Sequence, residues 1–397
     1  MSRFQGSREY RHDTPARIGV IVTNLGTPDA PSTRAVRRYL AEFLSDPRVV
    51  EIPRVLWLCI LHGIILRVRP RKSANTYRNI WQAEGSPLLV IAQKQTVAIE
   101  QAIRARLTDP QYARSPEVKV VLGMRYGNPS IADALDTLRQ AQCETILVLP
   151  LYPHYSGSTG GSTFDAVAKT LMSWRWVPEL HFINHYHDNA DFIAACVQHI
   201  HRYWESHTPP DRLIFSYHGL PKHFLDSGDP YHCHCHKTTR LIGERLNFPQ
   251  EKLITTFQSR FGKAEWLQPY TDQTLMRLGQ EGVERIHVFC PGFSADCLET
   301  LEEIAQENRA YFLKSKLKSE LKNELENELK SEVENELESS LESGGKSFHY
   351  IPALNDSPEH IEALVKLIFT HLQPWLAQPA RDSAASAERA HQLGAKV

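Results

Sequence analysis

Short apolar runs rich in β-branched residues recur along this chain. Between them, apolar residues fall every three or four positions. The first run is Ile18-Gly19-Val20-Ile21-Val22-Thr23, and 118–122 and 145–149 follow. The second half repeats the rhythm at 213–215, 253–257, 286–289 and 348–351. Helical stretches of ten or more residues separate most of these runs. That alternation predicts βαβ units and parallel sheets. Two batches of strands, with 150–161 between them, predict two similar α/β domains over 17–160 and 161–356. A helix over 357–376 is expected to rejoin the first domain. Residues 1–16 read as a tail, and 377–397 as a disordered one.

The pattern also predicts where chemistry gathers. The strand runs end in Asn24-Leu25-Gly26-Thr27-Pro28, in Gly123-Met124-Arg125-Tyr126, and in the loop from Pro150 through His154 and Ser156 to Ser162. The next ends are His218-Gly219-Leu220-Pro221, then Gln258-Ser259-Arg260-Phe261-Gly262 with Trp266 behind it. The sixth is Pro291-Gly292-Phe293-Ser294-Ala295-Asp296. Parallel strands carry such ends to one side, where they should line one cleft. A lining of aromatics, small residues, one histidine and a few charges suits a large, flat, mostly apolar ligand with charged substituents. His218 closes its strand directly before Gly219 and Pro221. A pKa near neutrality suits such a histidine to bind a transition metal or take a proton. The plainer reading is a polar residue finishing a strand.

After the sixth strand comes Asp296-Cys297-Leu298-Glu299-Thr300-Leu301-Glu302-Glu303-Ile304-Ala305-Gln306-Glu307. On an α-helix Glu299, Glu303 and Glu307 fall within about 80° of arc, each about 6 Å further along the axis. This spacing makes either a solvated acidic face or a carboxylate track for a divalent cation or protons. Carboxylate and imidazole both suit Fe²⁺.

Residues 314–343 differ from the rest. They are built from Glu, Lys, Ser, Asn and Leu, with Leu317, Leu321, Leu325, Leu329, Val333, Leu337 and Leu341 marking a period of four. Four residues turn a helix by about 400°, so the apolar stripe slips about 40° per repeat. The segment reads as a helical, low-complexity insertion dispensable for catalysis.

Composition excludes some function classes. The 397 residues are 42% hydrophobic and 23% charged, with net charge −1, as in a soluble globular protein without a basic excess for nucleic acid. Neither G-x-G-x-x-G after the first strand nor G-x-x-x-x-G-K-[ST] occurs, which removes support for dinucleotide and P-loop nucleotide binding. Seven scattered cysteines and a polar start without an apolar core point to the cytoplasm. The most apolar run, 55–66, is followed by Arg67-Val68-Arg69-Pro70-Arg71-Lys72. It falls short of the roughly 20 residues a span needs. It reads as a buried helix with a charged exit, or as a surface at 55–72 for peripheral contact with an anionic membrane. Cys233-His234-Cys235-His236 has donors for a soft metal but lacks the usual zinc spacing.

Together these residues resemble the ferrochelatase family. The segment Ser216-Tyr217-His218-Gly219-Leu220-Pro221 with Gly228-Asp229-Pro230-Tyr231 is similar to its signature. Asn24–Pro28, Tyr77-Arg78 before Gly85-Ser86-Pro87-Leu88, Arg125-Tyr126, the loop 152–159, Gln258-Ser259 with Trp266, and Asp296 with Glu299-Thr300-Leu301 match in order. The resemblance runs from Ile18 to about Leu372, outside the insert. It implies two Rossmann-like domains around a porphyrin cleft, and insertion of Fe²⁺ into protoporphyrin IX to give protohaem. By the same resemblance His218 and Glu299 are the active-site pair, and Glu303 and Glu307 an acidic metal track. Arg78 and Arg125 are expected at the porphyrin propionates, while Tyr126, Trp266 and Phe293 shape the cavity, with Ser156 and Asp296 also at the substrate. Some members hold a two-iron, two-sulfur cluster with three cysteines near the C-terminus. This chain has none after Cys297, so no cluster is expected. Related chelatases acting on coproporphyrin or a corrin precursor, and a non-catalytic haem or iron carrier, are the alternatives. Oligomeric state is not encoded in any of these motifs.

Overall fold

In the computed structural model the described residues are 4–6, 10–262, 264–324, 348–379 and 381–395. Among the described residues eight strands form two parallel four-stranded sheets. The first contains β1 (Arg17–Thr27), β2 (Glu117–Gly127), β3 (Cys143–Pro150) and β4 (Glu179–Phe182), in the order β2-β1-β3-β4. The second contains β5 (Arg212–His218), β6 (Leu253–Gln258), β7 (Ile286–Phe289) and β8 (Phe348–Ile351), in the order β6-β5-β7-β8. All strand pairs within the two sheets are parallel. The central strands are apolar and buried on both faces, as crossover helices require.

The seven runs read from the pattern are all strands. β4 is additional, and it moves the domain boundary. Because Glu179–Phe182 pairs with β3, the first unit extends past residue 160 to the end of β4. The C-terminal helix Pro358–Leu376 packs against both Pro87–Arg106 and Ala190–Ser206, and one apolar core runs from Val20 and Leu149 to Phe215 and Phe289. The two sheets are therefore welded rather than tethered.

The C-terminal tail is not structureless. Asp382 caps a helix over Ser383–Gln392, and Arg381 pairs with Glu144 at 2.6 Å. At the other end Gln5 exchanges backbone hydrogen bonds with Ser173 and Arg175. The charged insertion begins as the helix Arg309–Glu324, and its remainder to 343 lies outside the described residues. Cys233 and Cys235 sit on the helix Tyr231–Leu246, about 200° apart by their spacing, one exposed and the other buried. Both are free thiols that point away from each other.

Candidate active site

The strand ends do converge. A cavity of about 660 Å³ is lined by Asn24 and Leu25 of β1, the loop Leu151 to Thr159 after β3, His218 of β5, Ser259 and Phe261 after β6, and Gly292 to Cys297 after β7. Phe43, Val50, Ile52, Trp57 and Arg69 cover it from the helical segment after β1. Ser156, Trp266, Phe293 and Glu299 also stand in this wall, as expected.

His218 is the last residue of β5, in register with Gln258 of β6. The chain must then turn at close quarters. A Cβ on Gly219 would lie 2.6 Å from the Gln258 carbonyl oxygen and 3.2 Å from the Trp266 ring, so only glycine fits. The turn brings the Gly219 carbonyl 2.7 Å from His218 Nδ1. A carbonyl only accepts, so Nδ1 carries the hydrogen and Nε2 of the neutral ring keeps its lone pair.

Glu299 opens a helix of π type, Glu299–Asn308, that continues into Arg309–Glu324. Here the expected ladder changes phase. The Arg309 backbone N–H reaches back five residues to the Ile304 carbonyl, and the Asn308 side-chain amide donates to the Glu303 carbonyl at 2.8 Å. A wider turn makes residues five apart neighbours. Glu302 and Glu307 thereby come together, and burial, then Glu307 and Glu303, push the Glu302 carboxyl up to about 7. Glu303 turns inward. It accepts hydrogen bonds from the Ser259 N–H at 2.7 Å and from the Ser259 hydroxyl, and burial raises its pKa while the Ser259 hydrogen bonds and nearby His218 oppose that shift. Ser259 sits at φ 64°, in the left-handed region. Such a conformation is held against a cost in non-glycine residues. Gln258 donates to the Glu299 carbonyl at 2.8 Å, so β6 anchors the helix start. The carboxylates run from the cavity wall at Glu299, through half-buried Glu303, to exposed Glu307. Among the described residues no three His, Cys, Asp or Glu side chains are arranged as a metal cage.

Four expected substrate contacts are placed elsewhere. Arg125 donates to Ser162 and to Asp46, and Tyr126 donates to Asp46 at 2.8 Å, so both are spent inside the first domain. Tyr126 backs the cavity indirectly, with its ring 5.1 Å from that of Phe43. Arg78 is exposed and donates to Asn75 on its own helix. Asp296 is consumed by Thr300, Tyr350, the Ala353 N–H and Asn355, which tie the β7 loop down. Among the described residues the Lys or Arg in the wall is Arg69, overlooked in the basic cluster after the apolar run. Its guanidinium lies 4.4 Å over the Phe261 ring, and burial lowers its pKa. The only sequence signal for it was membership of that cluster.

The Ferrochelatase family model matches residues 17–328. A ferrochelatase from Thioalkalivibrio sulfidiphilus is 51% identical over 99% of this chain and 98% of its own length. Ferrochelatases from Marinobacter nauticus and Nitrosococcus oceani are 51% and 48% identical, covering 94% and 99% of the chain and 91% and 99% of the relatives. With a free imidazole nitrogen and an acidic helix meeting in one apolar cleft, and with relatives at half identity over nearly every residue, the chain belongs to the ferrochelatase family.

Proposed function

We infer that this protein inserts Fe²⁺ into protoporphyrin IX to form protohaem, with release of two protons. The observation that carries this reading is one apolar cavity with the unpaired Nε2 of His218 and the Glu299 carboxylate both in its wall. Metal insertion needs both pyrrole protons removed and nitrogen lone pairs turned toward the incoming ion. His218 suits the first task, because its tautomer leaves Nε2 able to accept. Glu299, Glu303 and Glu307 suit delivery of that ion, handing the cation from surface to cavity as hard oxygen donors. Iron and porphyrin are substrates here. The reading includes no resident cluster, because no cysteine follows Cys297.

An anaerobic assay with protoporphyrin IX and Fe²⁺, read as haem absorbance, tests this directly. Preference for coproporphyrin, or cobalt insertion into a corrin precursor, would replace the substrate assignment. Porphyrin binding without turnover would leave only a carrier.

Arg69 is the group we assign to a propionate. It stands in an apolar wall, and among the described residues no carboxylate pairs with it. Arg69→Ala should raise KM for protoporphyrin about tenfold, or ~1.4 kcal/mol, with a smaller change in kcat. It should also erase discrimination against the porphyrin dimethyl ester. Unchanged discrimination would remove Arg69 from this role.

The cover segment also supports peripheral membrane contact. The apolar run divides into the helix Arg54–Ile60, a π turn at Leu61–Ile65 and the helix Leu66–Ile80. Trp57, Leu61 and Leu66 pack inward, but Val55, Leu56, Ile64 and Val68 are 79, 56, 61 and 68% exposed. Among the described residues no helix is long and apolar enough to cross a membrane. Exposed side chains beside Arg67, Arg71 and Lys72 match an anionic surface. The protein should float with phosphatidylserine vesicles at low salt, and the double variant Leu56→Asp, Ile64→Asp should not. Equal flotation of both proteins would reject this surface.

A further inference from the structure

Four imidazoles stand in file between the cavity and the surface. His154 is buried in the cavity wall, in the loop after β3. Its ring lies 6.0 Å from that of His187. His187 is stacked on His234 at 3.7 Å and 11°. His234 lies 5.0 Å from His185, which is exposed. The file draws on three separate segments, and no step assigned above uses it.

The inner end has a defined polarity. The Thr238 hydroxyl donates to the His187 carbonyl at 2.7 Å. Toward His154 Nε2, at 2.8 Å, it can therefore only accept. Nε2 carries the hydrogen and Nδ1 holds a bare lone pair. Among the described residues Nδ1 is buried without a hydrogen-bond partner. It lies 3.9 Å from the place a Cβ on Gly292 would occupy, and Gly292 is itself part of the cavity wall. A buried acceptor left unsatisfied calls for a partner, and a donor held in the adjoining cavity would supply one.

The rest of the file is suited to passing protons rather than keeping them. Burial holds His154 well below the ordinary imidazole range and lowers His187 and His234 to about 4. Asp188 and Asp229 partly offset burial around His187 and His234, while Lys237 and His185 reinforce it. None of the three inner rings would trap a proton at neutral pH.

We propose that this file drains one of the two protons displaced by metal insertion, with His154 as its acceptor while His218 takes the other. Insertion frees two protons, and one imidazole lone pair holds one at a time. A pyrrole N–H bond breaks and its proton passes to His154 Nδ1. The Nε2 hydrogen then moves to the Thr238 oxygen, and the hydrogen Thr238 had given to the His187 carbonyl passes to the lone pair of His187 Nδ1, which has no hydrogen-bond partner among the described residues. His187 and His234 are stacked face to face and His234 Nδ1 accepts the Tyr155 N–H at 3.3 Å, so water carries the proton between the rings of His187, His234 and His185, and exposed His185 returns it to solvent. No electron changes hands. The proposal rests on the insertion activity inferred above.

The test uses the full chain with His154→Gln and His234→Gln. Glutamine keeps an amide for hydrogen bonding but does not take a proton. Porphyrin affinity is read by fluorescence, insertion by single turnover, and proton transfer by the solvent deuterium isotope effect. Both variants should bind porphyrin within about twofold of wild type, insert about tenfold more slowly and show a larger isotope effect. Exogenous imidazole should restore His234→Gln, whose site is half-buried near the surface. His234→Gln carries the test alone if the buried variant melts early. Unchanged insertion rate and isotope effect in an active background would overturn the relay and spare the function. An inactive wild type would overturn the function itself, and the relay with it.

Discussion

His218→Ala is expected to abolish insertion with the fold intact. The side chain ends β5 at the cavity and packs in no core cluster, so its loss should cost little stability. What disappears is a lone pair held in place. The Gly219 carbonyl fixes the ring's tautomer, and the crowding of Gly219 against Gln258 and Trp266 fixes the direction of the chain. An acceptor positioned in this way contributes about a thousandfold, or ~4 kcal/mol, when it removes a proton in the transition state. Porphyrin affinity by fluorescence should change little, so the defect should lie in kcat. Purified His218→Ala turning over within about threefold of wild type would show that the imidazole is a strand-end residue and that the base lies elsewhere.

Glu299→Gln should be the second most damaging change, about a hundredfold in kcat/KM for Fe²⁺. The amide preserves shape and still accepts a hydrogen bond, but it loses the charge that attracts the cation and the basicity that could take a proton. The surrounding hydrogen bonds should survive, since the Glu299 backbone carbonyl, not the side chain, accepts from Gln258. The same substitution along the track separates delivery from decoration. Glu307 is exposed, so Glu307→Gln should cost about threefold at most, as an increase in apparent KM for iron. Glu303 is clamped by Ser259, so Glu303→Gln should fall between the two. Equal small effects at all three positions would return the stripe to an ordinary solvated face.

The reading from sequence did well where the physics is local. Seven strands were legible because β-branched runs that alternate with helical stretches have few other uses. β4 was not. Glu179-Leu180-His181-Phe182 has no β-branched residue and sits at a half-exposed edge, and only pairing with β3 makes it a strand. The site divides in the same way. His218 before Gly219 and Glu299 after the β7 loop could be named because each sits where a strand ends, and ends of parallel strands share one side. Their neighbours could not be named reliably. Arg125 also stands at a strand end, yet Asp46 and Ser162, both distant in sequence, meet it there and use its donors.

The sequence by itself determined the class of fold and the edge at which side chains collect, and it named two side chains, His218 and Glu299, that stand in the cavity wall. These follow from periodicity and from residue types whose chemistry is intrinsic. Only the tertiary structure decided which cation stands in the cavity wall, which carboxylates are neighbours and which imidazoles form a line. Strong helix formers fit both i→i+4 and i→i+5 hydrogen bonding. It is anchorage of Glu299 and Glu303 by Gln258 and Ser259 of another segment that accompanies the wider turn and brings Glu302 to Glu307. Arg69 reaches the cavity because its helix is folded over the mouth, and His154, His187 and His234 meet because three loops converge. Such pairings depend on long-range packing, which no local pattern of residues encodes.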